Sequence, residues 1–307
     1  MSTSSIPAIS VVIPHLNEPV ELRRCLTSLE AQKTAGIPFE VIVVDNGSRE
    51  LPVAVCSEFE GVRFEQERTP GPGPARSHGA SLARAPIISF IDADCVADTG
   101  WIPNIARFFD QNPDIDFVAG DIRVARADPS QATAFEAYES IFSYRAKLYV
   151  ERDHYAATGN MSVRSHIFRL VGPFGGIAIS EDREWGQRAT AMGFRLAFAP
   201  EIRVFTPGCK SFDELVRRWD RAILHDFEEF RPGPGRTVSW LLRSLAVAVS
   251  PWFEIVKILR SEKVSSLRER WLAFACLVRV RLYRARKMLA LAFEYDSQRL
   301  ARTWNRE

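Results

Sequence analysis

The sequence predicts an α/β protein: a mixed, mostly parallel sheet flanked by helices, with an α-helical C-terminal extension. Three observations lead there. Short β-branched runs alternate with helical patterns, three of those runs end in polar or acidic residues, and the chain turns basic and helical after Pro232-Gly233-Pro234-Gly235. That tetrapeptide is the strongest boundary signal, so residues 1–230 are expected to form one domain and residues 231–307 a basic amphipathic helical extension.

The first run, Ile9 to Ile13, ends at Pro14 as a buried strand entering a loop does. Leu22, Cys25, Leu26 and Leu29 then recur at helical spacing within Glu21 to Gln32. A second apolar run, Phe39 to Val44, stops at the turn-forming Asp45-Asn46-Gly47-Ser48, which completes a βαβ unit. A helix over 51–59 leads to a strand at 62–64. Thr69 to Pro74 is expected as a glycine and proline loop before a small-residue helix over 75–85. The next strand, Ile87 to Ile91, carries Asp92 at its end. Beyond Trp101 the patterns predict a helix over 102–109, a strand from Phe117 toward Val124, one helix over 132–149, a turn and strand over 158–163, and a helix over 180–192 that opens with two acids.

Composition bounds the chemistry. The 307 residues are 46% hydrophobic, enough for one large core or a catalytic domain with an appendage. The net charge of +2 hides an asymmetry: residues 231–307 hold 16 Lys/Arg against 6 Asp/Glu, leaving 24 against 32 before them. Such a tail points to a negative partner, and a solvated helical surface is the plain alternative. The five cysteines are scattered and odd in number, which fits a reducing compartment. The N-terminal Met-Ser-Thr-Ser-Ser-Ile-Pro has neither the basic start nor the apolar core of a signal peptide, so a cytoplasmic location is expected.

Ligands of open parallel sheets bind outside the carboxyl ends of the strands. Three such ends carry chemistry here: His15 to Glu18, Asp45, and Asp92 with Asp94. Carboxylate oxygens suit hard divalent cations, Mg or Mn, which are typically shared with substrate phosphates. A D-x-D triplet arises easily by chance and also reads as a solvated turn. Its place after a hydrophobic strand, with Pro70 to Gly79 ahead of it, favours the ligand site. That preceding segment supplies Arg76 for phosphate, where a surface helix arginine is the alternative. It is not a dinucleotide fingerprint, because the G-x-G-x-x-G spacing fails. His15 and His78 lack metal-ligand spacing and are read as loop or phosphate contacts.

From Ile9 to Pro207 these motifs, in this order, resemble the family 2 glycosyltransferases of the nucleotide-diphospho-sugar transferase superfamily, whose fold is the Rossmann-like GT-A type. Val11 to Glu18 is similar to the family's opening strand and loop, and Val43 to Ser48 to its second strand end. The resemblance implies that Pro14, His15, Glu18 and Asp45 meet the donor nucleotide, with Arg76 and Asp92 on the same side. It implies that Asp92 and Asp94 hold the metal, and that Gly159 and Asn160 of Thr158-Gly159-Asn160 line the sugar and acceptor side with Glu181. Asp182, from the matching Glu-Asp pair, is implied as general base for a single inverting displacement. Arg218 and Trp219, in Leu215-Val216-Arg217-Arg218-Trp219, resemble part of the Q-x-x-R-W element of processive polysaccharide synthases without its leading Gln, which implies contact with the acceptor and sugar side or the donor, and an ordinary amphipathic helix over 213–227 is the alternative. A metal-binding His found in some relatives after the last strand is replaced by Thr206.

In the tail the longest uncharged run, Ser244 to Phe253, is half of what a membrane span needs. Basic residues mixed with Trp240, Trp252, Phe253 and Trp271 suit helices lying in a membrane interface, where a lipid-linked or glycan acceptor would be met. Packing on the catalytic domain or dimerisation is the other reading. No nucleic-acid recognition motif accompanies the charge. The expected activity is transfer of a sugar from a nucleotide-diphosphate-sugar to a hydroxyl, peripherally at the cytoplasmic membrane face. A sugar nucleotidyltransferase of related fold and a non-catalytic nucleotide-sugar-binding membrane scaffold are the rivals.

Overall fold

Strand β1 (Ile9–His15) opens the sheet, and in the computed structural model Ile9, Val11, Val12 and Ile13 are all fully buried. The structure describes residues 6–128, 130–176, 180–229 and 236–293. Helix α1 (Pro19–Glu30) starts on a proline, whose fixed φ and missing N–H suit the first helical turn, and it buries the predicted stripe Leu22, Cys25, Leu26 and Leu29. A 3₁₀ turn over Ala31–Ala35 ends at Gly36 in the left-handed region (φ +74°) and hands the chain to strand β2 (Phe39–Asp45).

Short helix α2 (Val53–Ser57) leads to strand β3 (Val62–Gln66), and helix α3 (Pro72–Leu82) leads to strand β4 (Ile87–Ile91). The glycine and proline stretch does not remain a loop to Pro74, because Gly71 (φ +121°) caps a helix that Pro72 begins. After the two-residue strand β5 (Val96–Ala97) come helix α4 (Trp101–Gln111) and strand β6 (Phe117–Ala125).

The single helix expected over 132–149 is two, α5 (Ala134–Phe142) and α6 (Ala146–Asp153). Tyr144 at φ +39° between them has left the right-handed helical region, so the ladder cannot run through it. The chain continues through strand β7 (Asn160–Arg164), helix α7 (Ser165–Val171), helix α8 (Glu181–Ala191), strand β8 (Leu196–Pro207) and helix α9 (Phe212–Glu229). Helices α10 (Arg236–Val249), α11 (Ile255–Arg260) and α12 (Leu267–Phe293) follow. Pro232 to Gly235, the expected boundary, lies outside the described residues.

The strands form one sheet in the order β3-β2-β1-β4-β7-β6-β8-β5. The first four are parallel, β7 is antiparallel to β4 and to β6, and β5 is antiparallel to β8. Alternation along β1 divides its side chains between the faces: Val11 and Ile13 join α1 and α4 in one core, while Val12 meets Ala80 of α3 in the other. Gly79 lets α3 ride close, since a Cβ there would lie 2.5 Å from a Val12 methyl. Phe90, Phe117, Phe168, Phe174 and Trp185 complete that second core.

The chain divides into two compact units, Met1–Arg123 with Tyr144–Pro207 and Val124–Ser143 with Gly208–Glu307. In the second, Ala273, Leu277 and Val280 of α12 pack with Tyr138 and Ile141 of α5. Helix α10 is fixed to α12 by the Trp240 indole N–H on the Met288 carbonyl and the Ser244 hydroxyl on the Ala285 carbonyl. Among the described residues no helix is long and apolar enough to cross a membrane.

Candidate active site at the carboxyl edge of the sheet

Parallel register sets His15 at the end of β1 beside Asp45 at the end of β2. His15 Nδ1 lies 2.9 Å from Asp45 Oδ1, and the Glu18 backbone N–H donates to His15 Nε2 at 3.2 Å. Since Nε2 accepts a hydrogen bond, the imidazole proton belongs on Nδ1, facing Asp45. Burial works to raise the Asp45 pKa. The Ser48 hydroxyl, His15 and the N–H groups of Ser48 and Gly47 outweigh it and hold the carboxyl below its ordinary value. His15 is 1% exposed. Both ring nitrogens are engaged, so the ring braces the two loops rather than projecting into the crevice. Asn17 adds to the lacing, accepting from Arg49 N–H and donating its own N–H to Ser48. Pro14 is half-buried within β1.

Asn46 fixes the next loop. Its amide donates to the Glu67 and Thr69 carbonyls and accepts from Gly71 N–H, the residue that caps α3. One turn into that helix, Arg76 is 5% exposed. Its Nη2 reaches Asp92 Oδ1 at 2.5 Å and its Nη1 reaches Glu181 Oε1 at 2.8 Å, while Nε has no partner among the described residues. Burial alone would weaken the charge on Arg76, but Asp92 and Glu181 more than offset it.

Asp92 follows β4, and its carbonyl accepts from Cys95 N–H to close a turn that brings Asp94 alongside. Ligand atoms of Asp92, Asp94 and Cys95 all lie within 4.8 Å of one another. The two carboxylates offer the hard oxygens that Mg or Mn prefers. Cys95 does not extend that set: burial, then Asp94 and Asp92, keep its thiol protonated, and it donates to Asp94 Oδ1 at 3.5 Å. The same crowding acts on Glu18, whose carboxyl is pushed up to about 7 by burial and by Asp94, Glu21 and Asp92. Gly159 faces Asp92 so closely that a Cβ there would sit 2.8 Å from Asp92 Oδ2.

Helix α8 begins with Glu181 and Asp182, acids placed where the helix dipole favours negative charge. Asp182 accepts from Arg183 N–H at 2.7 Å, yet burial and then Glu181 push its carboxyl up to about 6. Arg76 therefore touches the carboxylate beside the base candidate and the first of the acidic pair at once.

Residues 10–171 match the family model described as glycosyl transferase family 2. The chain belongs to that family. Glycosyltransferase AglE of Haloferax volcanii is 29% identical over 252 residues, 80% of this chain and 78% of that protein. Among solved structures, the mannosyltransferase PcManGT of Pyrobaculum calidifontis, in complex with GDP-Man and Mn2+, superposes with a TM-score of 0.56 at 14% identity, over 99% of this chain and 89% of that one. S. aureus TarS 1–349 in complex with UDP-GlcNAc gives 0.53 at 15%, over 97% and 93%. These likenesses make the fold of this glycosyltransferase the GT-A type.

The other expected residues of this glycosyltransferase have the following surroundings. Asn160 is 1% exposed, and its amide is used internally: Oδ1 accepts from the Trp101 indole and Nδ2 donates to the Asp121 and Ile202 carbonyls. Its expected contact with a sugar is therefore not open to that amide, which braces the start of β7 against those three partners. Trp219 belongs to the second unit, where the Arg284 guanidinium lies 4.0 Å from its ring centroid; the side chain of Arg218 lies outside the described residues. His78 stands between Glu65 and Glu67, 3.5 Å from the latter. Sequence reasoning missed Asn46 and Cys95. Asn46 was legible only as a turn former, and Cys95 only as a buried thiol.

Proposed function

We propose that this glycosyltransferase moves a sugar, with inversion, from a nucleotide-diphosphate-sugar to a hydroxyl of a glycan or lipid-linked acceptor. It works peripherally at the cytoplasmic face of a membrane, with Asp182 as general base. The observation that carries this reading is the hydrogen-bonded chain Asp92–Arg76–Glu181, which joins the strand end bearing the acidic pair to the helix turn bearing Asp182. The GDP-Man and Mn2+ of PcManGT and the UDP-GlcNAc of TarS support a nucleotide-sugar donor.

In this reading Pro14, His15, Glu18 and Asp45 form the nucleotide side, His15 and Asp45 by fixing the two loops. Asp92 and Asp94 are the oxygen ligands for Mg or Mn, and a bound ion supplies positive charge against the diphosphate leaving group. Arg76 adds a buried guanidinium to the same end. Gly159 gives close backbone approach beside Asp92, with Glu181 toward the acceptor. Above about pH 6 Asp182 is ionised. It takes the acceptor proton as the hydroxyl oxygen attacks the anomeric carbon from the face opposite the breaking bond to the diphosphate. A positioned base of this kind contributes roughly 10² to 10⁴ in rate. The raised pKa makes the carboxylate a stronger base than an ordinary aspartate.

A panel of UDP-, GDP- and dTDP-sugars, read by Mn-dependent hydrolysis and thermal stabilisation, tests the donor assignment. Failure of every nucleotide to bind in a metal-dependent way rejects it. Full transfer activity in Asp182→Asn with a working acceptor rejects the base.

A further inference from the structure

Helix α10 buries one face and exposes another. Trp240, Ser244 and Val247 turn inward, whereas Val238, Leu242, Leu245 and Val249, spaced four, three and four residues apart, are exposed. The apolar stripe continues after the helix. Trp252 and Phe253, in the 3₁₀ turn Ser250–Glu254, are 68% and 82% exposed, and Val256 and Leu259 of α11, then Leu267 and Trp271 of α12, are exposed as well. Trp252 and Trp271 both pack edge-on to Phe274, at 5.7 and 6.0 Å between centroids, so the two indoles are one aromatic cluster rather than separate loose side chains. Isolated exposed apolar residues are ordinary, but an uninterrupted set of this length is an interaction surface.

Charge selects the partner. Residues 236–271, which span that face, hold 7 Lys/Arg and 3 Asp/Glu. Of those acids, Glu254 lies against Lys257 and Arg281, Glu269 is buried against Arg126, and Glu262 is exposed between Arg260 and Lys263. Exposed Arg260, Lys263 and Arg268 alternate along the chain with Leu259, Leu267 and Trp271. Arg270, by contrast, folds back onto the Ile258 and Ser261 carbonyls at the end of α11. A protein partner's apolar patch would gain nothing from that excess of cations. A lipid surface with anionic headgroups matches both halves of the pattern, with aromatic rings at headgroup level and cations against phosphate.

We propose that the exposed face of α10, the Trp252-Phe253 turn, α11 and the start of α12 is a docking surface for an anionic membrane, with Trp252, Phe253 and Trp271 as its inserted anchors. This gives a residue-level form to the membrane reading above, and it holds whether or not the acceptor proves to be lipid-linked.

The test uses the full-length chain in flotation with phosphatidylcholine vesicles, with and without phosphatidylglycerol, at low and high salt. Binding is expected to the phosphatidylglycerol vesicles and to weaken with salt. Trp252→Ala combined with Phe253→Ala is expected to weaken it about tenfold or more, since each large apolar side chain contributes on the order of 1.5–3 kcal/mol when buried and 1.4 kcal/mol is tenfold. Donor hydrolysis and the thermal shift given by nucleotides serve as the fold and site control, and both should be unchanged. No binding to anionic vesicles, or equal binding by the double variant, overturns the proposal. So does dimerisation in light scattering that the double variant abolishes without any vesicle binding, because the face then belongs to a second copy. Absence of donor hydrolysis in the wild-type chain, with vesicle binding intact, would instead count against the glycosyl-transfer reading alone.

Discussion

Replacing Asp182 by Asn should make the protein more stable as it becomes inactive, and the gain should depend on pH in a defined direction. The folded carboxyl titrates near about 6 against an ordinary 3.8, because burial and Glu181 disfavour its charge. A raised carboxyl pKa costs stability wherever the group is ionised in the folded state. Well below the unfolded value both states hold the proton and there is no cost. The cost grows as pH rises from about 4 to about 6 and is complete above that. Two pKa units correspond to about 3 kcal/mol at about pH 8, and the same linkage leaves about 1.5 kcal/mol at about pH 5. Asn keeps the shape and the acceptor for Arg183 N–H, so the comparison isolates the charge. The assay is the melting temperature of wild type and variant in metal-free buffer across about pH 5 to 8. The variant should melt higher at the alkaline end, with the difference shrinking toward acid. A difference that is absent, negative or flat with pH refutes the account of Asp182 as a carboxylate held in an unfavourable charge state.

Three further outcomes follow from the same geometry. Arg76→Lys removes the planar fork that reaches Asp92 and Glu181 together, and should lower kcat/KM by roughly tenfold or more in steady-state transfer assays. Gly159→Ala puts a methyl 2.8 Å from Asp92 Oδ2, and should weaken metal-dependent donor binding while the circular dichroism spectrum stays that of wild type. Asn160→Leu leaves the Trp101 indole N–H and the Asp121 and Ile202 carbonyls without their partner, and should destabilise by about 3 kcal/mol or more at roughly 1–3 kcal/mol per unsatisfied group, read by thermal denaturation.

What the sequence could and could not disclose follows the range of the interactions involved. The runs that became β1, β2 and β4 are apolar because both sheet faces are covered, so their burial is written residue by residue in the local pattern. The break between α5 and α6 has no such writing. Ser143, Tyr144 and Arg145 contain neither glycine nor proline, and Tyr144, with its positive φ, stands at the chain boundary between the two compact units. At the site, Asp92 and Asp94 were legible because a strand end is a local feature. The pairing of Arg76 with Glu181 spans 105 residues, and the three backbone and indole partners of the Asn160 amide lie 39 to 59 residues away. The resemblance of Thr158-Gly159-Asn160 made Asn160 a candidate for the sugar side; only its long-range partners reveal a buried brace.

The distribution of charge at the sheet edge explains why the predictions couple activity to stability. Glu18, Asp92, Asp94, Glu181 and Asp182 gather there, and Arg76 is the buried cation hydrogen-bonded among them. Burial first, and then their mutual repulsion, raises two of the carboxyls, Glu18 toward about 7 and Asp182 toward about 6. A fold selected for stability alone would not keep these groups together. In the function proposed above the site accepts positive charge with its donor and then a proton from its acceptor, and it gains from holding them under-neutralised beforehand. A divalent cation added to the wild-type protein should therefore raise the melting temperature, and Asp94→Ala should blunt that rise. Equal stabilisation of Asp94→Ala would place the cation elsewhere and separate the acidic pair from the chemistry assigned to it.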